Sequence, residues 1–139
     1  MVMPWIEHVG LKEIKEGFHH DPGPNSMLIQ IVDYMTDFPR SKYQFKETRK
    51  YKFLDVEEED ELLYDGVISD EDAAHIAQAL RHAFENSMNV VVHCHMGVSR
   101  SGAVAEVGTM IGFADVGKFR VPNQTVKRKL MRELNLMPL

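Results

Sequence analysis

Two rhythms of apolar and polar residues alternate along this chain. Short apolar runs at Trp5 to Val9, Met27 to Val32, Tyr51 to Val56 and Asn89 to His93 predict β-strands. Helical spacing takes over between them. Leu11 to Glu16 predicts a short helix closed by Gly17 at its C-terminal cap. Ser69 opens a longer one: with Asp72 it approximates a capping box, and Asp70 and Glu71 suit the positive end of the helix dipole. Ala73, Ile76, Ala77, Leu80, Ala83 and Phe84 then recur on one face. A third helix, from near Ser101 to about Phe113, carries the broad apolar face Ala103, Val104, Val107, Met110 and Ile111. A fourth starts at Pro122-Asn123 with Asn123 as N-cap, uses Val126, Leu130, Met131 and Leu134 as its apolar stripe, and ends by Pro138.

Strands alternating with helices predict an α/β fold, with a central, mainly parallel sheet of about four or five strands flanked by helices. The stretch His19 to Asn25, dense in Pro, Gly and Asp, reads as a loop, and its histidines as exposed. No repeat, low-complexity segment or linker divides the sequence, so residues 1–139 are expected to form one domain.

Composition narrows the classes further. A chain of 139 residues, 44% hydrophobic and 27% charged, has the make-up of an ordinary globular protein with a core of its own. No apolar stretch approaches the roughly 18 residues that a membrane helix needs, so no membrane partner is expected. The first residues lack the basic and apolar regions of a secretory leader, and the single cysteine forbids an intrachain disulfide. The expected compartment is therefore the reducing cytoplasm.

The net charge of -5 disfavours nucleic acid as a nonspecific partner without excluding it. The charge is uneven. Twelve of the 16 basic residues fall in two segments, Arg40 to Lys52 and Lys118 to Arg132, with the acidic run Asp55 and Glu57 to Glu61 between them. Solvated faces account for each cluster; a basic rim drawing in anions would require both to flank one pocket.

The informative stretch is Val90-Val91-Val92-His93-Cys94-His95-Met96-Gly97-Val98-Ser99-Arg100-Ser101-Gly102. A core strand runs into a tight loop, and the loop opens a helix, which aims successive backbone N–H groups into one concavity at the positive end of that helix. Cys94 sits under those donors, which favour its thiolate. Arg100, six positions on, can fold back as a planar fork onto two oxygens of a phosphate, a geometry that Lys lacks. Gly97 lets the backbone turn with its amides inward. Ser101 can donate its hydroxyl toward the sulfur. His-Cys-His suggests a metal site, but residues one and two apart at a strand end face different ways, so none is expected.

The pattern of His93, Cys94, Gly97, Ser99, Arg100, Ser101 and Gly102 resembles the protein tyrosine and dual-specificity phosphatase superfamily. Phe53-Leu54-Asp55-Val56 is similar to the segment that carries that family's general acid, which makes Asp55 the acid by context, with Glu57, Glu58 and Asp60 as alternatives on the same segment. Pro122-Asn123 is similar to its C-terminal element, whose Asn braces the phosphate loop. The resemblance spans roughly Tyr51 to Leu134; Phe53-Leu54 stands where larger members have Trp-Pro, which marks a compact type as in bacteria and viruses.

The resemblance implies hydrolysis of phosphate monoesters through a phosphocysteine: Cys94 as nucleophile, Arg100 as clamp, Asp55 as acid and Ser101 easing departure of sulfur. His95, Met96, Gly97, Val98 and Ser99 would line the bound phosphate, with His93 and Asn123 in support. No metal or other cofactor is required. The implied partner is a phosphorylated protein, with phosphotyrosine first and phosphoserine or phosphothreonine in the wider class. The alternatives are an RNA 5′-phosphatase of the same superfamily and a non-catalytic phosphate-binding module. A rhodanese-type sulfurtransferase fits less well, since its loop is usually one residue shorter and lacks the Ser-Gly exit.

Overall fold

The computed structural model describes residues 3–57 and 66–136. Its centre is a fully parallel five-stranded sheet. The strands are β1 (Trp5–Val9), β2 (Ser26–Val32), β3 (Glu47–Lys52), β4 (Asn89–His93) and β5 (Ala114–Asp115), in the spatial order β3-β2-β4-β1-β5. The helices are α1 (Leu11–Glu16), α2 (Asp70–Glu85), α3 (Arg100–Met110) and α4 (Gln124–Glu133). The predicted α/β architecture is present.

Both faces of the sheet are covered. Ile6, Met27, Ile29, Ile31, Val90 and Val92 pack with α2, α3 and α4 in the larger core; Val9, Leu28 and Val91 pack with Ile14 of α1 in a smaller one. Strands buried on two sides read as continuous apolar runs, which is why β2 and β4 are so plain in the sequence. None of the helices among the described residues is long and apolar enough to cross a membrane.

Three helix ends follow their local chemistry. Gly17 closes α1 in the left-handed region, at φ 74°. The Ser69 hydroxyl accepts the Asp72 N–H at 3.0 Å and caps α2. The Asn123 carboxamide oxygen accepts the Val126 N–H at 3.0 Å and caps α4.

The expectations fail where polarity and periodicity part company. The third strand is Glu47–Lys52, not Tyr51 to Val56. It lies at the sheet's edge, where alternate residues meet solvent, so its sequence is polar. The apolar Phe53-Leu54 that follows has left the ladder: the Phe53 N–H still donates to Val32 O, but that of Leu54 turns to Gly66 O. The two-residue β5 was not foreseen. The third helix starts at Arg100 and stops at Met110, short of Phe113, where Gly112 adopts φ 124°. The fourth ends at Glu133, and Pro138 lies outside the described residues. The loop histidines are also more engaged than expected: His20 bonds Glu7, and His19 packs beside Tyr43 and Phe45.

Candidate active site

Parallel strands bring all their C-terminal ends to one edge, and loops from that edge build the site. The Cys94 N–H still donates to Val9 O, as the last rung between β4 and β1. From there the chain turns through residues 95–99 into α3. The Leu11 N–H donates to His95 O at 2.9 Å, fixing the outgoing limb to the start of α1. The returning limb is fixed by the Val121 N–H to Val98 O and the Asn123 N–H to Ser99 O.

Gly97 makes the turn possible. Its φ is 76°, and a Cβ there would stand 2.8 Å from Val9 O, so any side chain would collide with backbone. Below the turn, buried His8 holds the Gly97 carbonyl through Nδ1 at 2.6 Å, while its buried Nε2 has no partner among the described residues. Nothing in the apolar pattern of β1 marked His8 as a strut.

Cys94 is buried, and two groups address its sulfur: the Gly97 N–H at 3.3 Å and the Ser101 hydroxyl at 3.1 Å. Ser99 turns its hydroxyl to Asp55 at 2.7 Å instead of capping α3. The first amides of the helix are thus left without a side-chain cap at the loop.

Arg100 is buried as well. One guanidinium corner, Nη1, donates to Asp33 Oδ1 and to Phe53 O, each at 2.7 Å. Among the described residues its buried Nε has no partner, and the Nε–Nη2 edge makes no bond. A guanidinium anchored at one corner and unmatched along one edge is set to receive an anion with two oxygens. Asp33, just after β2, escaped sequence reasoning. No spacing rule links it to a loop 67 residues away.

Asp55 stands beside the loop. Its Oδ1 accepts from Ser99 Oγ and, at 2.9 Å, from Asn123 Nδ2, which also donates to Val56 O. Asn123 therefore braces the acidic segment with its side chain and reaches the loop only through its backbone N–H. Glu57 Oε1 accepts the Gln124 N–H at the start of α4. Glu58 and Asp60 lie outside the described residues.

His93 is fully buried, with Gln30 Nε2 at 3.3 Å from its Nε2 and Nδ1 toward Cys94 O at 3.4 Å. Burial pushes its pKa down to about 4; nearby Arg100 adds to this and the bond to Cys94 O opposes it. His95 is exposed and shares a narrow slot with Leu11, Val32, Asp33 and Thr36. Met96 is exposed, and Val98 half-buried. Among the described residues no three His, Cys, Asp or Glu side chains gather as a metal site.

Among the described residues, much of the two basic clusters is engaged locally. Lys118 pairs with Glu13, Arg120 with Glu106 and Asp115, Lys127 with Glu106 and Lys129 with Asp70. In the other cluster Arg49 pairs with Glu47, while Lys50 and Lys52 lie over the Phe38 ring.

No protein-family model matches the chain, and no curated protein does. Among solved structures it is similar to the crystal structure of Tk-PTP in the active form, at 14% identity and a TM-score of 0.46, over 96% of this chain and 82% of that one. A likeness of that depth carries no weight for function. What the site can do follows from its own residues.

Proposed function

We propose that this chain is a cysteine-dependent phosphatase that hydrolyses phosphate monoesters, with phosphotyrosine in proteins as the first substrate class. One observation supports this above all others: a sulfur addressed by a loop amide and a serine hydroxyl lies in the same loop as a buried arginine whose Nε–Nη2 edge is unmatched. That pairing of nucleophile and anion clamp is what displacement at phosphorus requires.

In the proposed reaction the Cys94 thiolate attacks phosphorus in line, forming an S–P bond as the P–O bond to the leaving group breaks. The free edge of Arg100 and the loop amides hold the non-bridging oxygens. Asp55 supplies the proton to the leaving oxygen. Because Ser99 and Asn123 both donate to Oδ1, that proton belongs on Oδ2, which makes no bond to the described residues. Asp55, now a carboxylate, then takes a proton from water as the water oxygen attacks phosphorus. The S–P bond breaks, and Ser101 donates to the sulfur that leaves. The Arg and the amides neutralise the phosphate, so the reaction calls for no metal.

No specific observation favours removal of RNA 5′-phosphates, since much of the basic segment at 118–129 is held by carboxylates. A binding module without catalysis would not need the Ser101 hydroxyl at the sulfur.

The test is a substrate panel in EDTA: phosphotyrosine, phosphoserine and phosphothreonine peptides, phosphoinositides and triphosphorylated RNA. Turnover of phosphotyrosine peptides is expected to persist in the chelator and to vanish in Cys94→Ser, which still binds tungstate. A serine variant retaining a tenth of the activity would refute covalent catalysis at Cys94.

A further inference from the structure

Four carbonyls of the loop at residues 95–99 are held by neighbouring segments. The Leu11 N–H donates to His95 O, the Val121 N–H to Val98 O and the Asn123 N–H to Ser99 O. His8 Nδ1 holds Gly97 O at 2.6 Å. Three of these holders are backbone groups. His8 is the side chain among them, so its hold is the one that a substitution can remove.

A trans peptide points its C=O and the following N–H in opposite directions. Carbonyls drawn outward to β1, to the start of α1 and to residues 121–123 therefore turn the N–H groups of Met96, Val98, Ser99 and Arg100 toward the inside of the loop. None of those four has a partner among the described residues. The Gly97 N–H is already engaged, with the Cys94 sulfur at 3.3 Å. Converging, unpaired amides of this kind form a nest for an anion.

The peptide between Gly97 and Val98 depends most on its holder. Gly97 stands at φ 76°, and a glycine restricts the rotation of its peptide less than any other residue does. Among the described residues its carbonyl has no partner but His8. His8 is 1% exposed, so water does not compete for that bond. A carbonyl only accepts, so Nδ1 carries the hydrogen, and in the neutral ring Nε2 is then a bare nitrogen, buried and unpaired among the described residues. Alternate residues of a strand share a face, and Ile6, two residues before His8, packs in the larger core. An apolar side chain would suit that face better than a ring with an unpaired nitrogen, so the use of His8 lies in what it does to the loop.

We propose that His8 is a positioning residue: by holding the Gly97 carbonyl outward, it turns the Val98 N–H onto a non-bridging oxygen of the bound phosphate. The proposal rests on the phosphatase reading for the anion, and adds to it a side chain from β1 that sets the loop's affinity.

The test replaces His8 with Leu and with Asn, and measures tungstate binding by calorimetry beside turnover of an aryl phosphate. Leu fills the space but offers no donor. The Asn amide nitrogen stands two bonds from Cβ, as Nδ1 does, and can donate to Gly97 O. His8→Leu is expected to weaken tungstate binding and raise KM by about tenfold each, the loss of one bond to an anion. Its kcat should change little, because the amide holds the oxygens in ground state and transition state alike. His8→Asn should recover most of both, so affinity follows the donor and not the melting temperature. In the wild type, the Val98 amide proton should shift downfield when tungstate is added, a measurement that needs no variant to fold. Wild-type affinity in folded His8→Leu, no recovery in folded His8→Asn, or a Val98 amide that tungstate leaves unmoved would each overturn the proposal. Tungstate binding that depends on His8 in a wild type without turnover would overturn the phosphatase reading and keep His8 in its role. A wild type that binds no tungstate would overturn both.

Discussion

Arg100 is held by the protein at Nη1, and in the proposed reaction its opposite edge is the one that takes the anion. Arg100→Lys keeps the charge but has neither the second edge nor the anchored corner, so kcat/KM should fall on the order of a hundredfold. Asp33→Asn tests the anchor alone. It takes the charge from the acceptor of the 2.7 Å bond, so kcat/KM should drop by about tenfold, chiefly through KM, as steady-state kinetics would show. Equal KM in Asp33→Asn and wild type would show that the charge on Asp33 is not needed to hold Arg100. His93 makes a different demand. Its folded pKa of about 4 lies below the ordinary value of 6.5, so the unfolded chain binds the proton first. Its contribution to stability is therefore complete above pH 6.5 and is lost as pH falls toward 4, a change of roughly 3 kcal/mol at most. Melting temperatures across that window should fall more steeply in wild type than in His93→Asn, which has no group to titrate; parallel curves would contradict this.

At the scale of elements, the loop between β4 and α3 was the most legible part of the molecule and the segment after β3 the least. Cys94, Gly97 and Arg100 declare themselves because their spacing is local and each residue type has one job. The strand before Asp55 is hard to place because apolar character does not mean sheet membership: an edge strand reads as polar, and the apolar Phe53 serves the core after the ladder has ended. Asp33 and His8 were illegible, since their partners in the loop come together only when strands separated by many residues become neighbours. The acid remains the sharpest test at this scale. Asp55→Asn should slow hydrolysis of phosphopeptides by about a hundredfold and hurt aryl phosphates with stable leaving groups far less. Glu57→Gln, Glu58→Gln and Asp60→Asn are the controls. If one of them shows that leaving-group dependence and Asp55→Asn does not, the acid must be reassigned while Cys94 and Arg100 keep their roles.

For the molecule as a whole, the alternation of strands and helices was enough to reach a parallel α/β sheet, because strands buried on both faces announce themselves. The charge clusters say less, because sequence shows where cations are and not which carboxylates meet them, as Glu13, Glu106 and Asp115 do here. The same sheet has one more consequence, at its margins. A parallel sheet that is not closed on itself has two unpaired edges, each a template for a strand from another molecule. One margin here is β5, only two residues long and exposed at both. The other is β3, which is longer but carries Thr48 and Lys50 outward, with Arg49 and Lys52 beside them. Brevity guards one side and like charge the other. Thr48→Val with Lys50→Val should leave catalysis intact in dilute solution, yet light scattering on concentration or warming should reveal strand-paired aggregates that the wild type does not form. The polarity that hid β3 from a hydrophobic reading is thus what keeps neighbouring copies of the sheet from joining edge to edge.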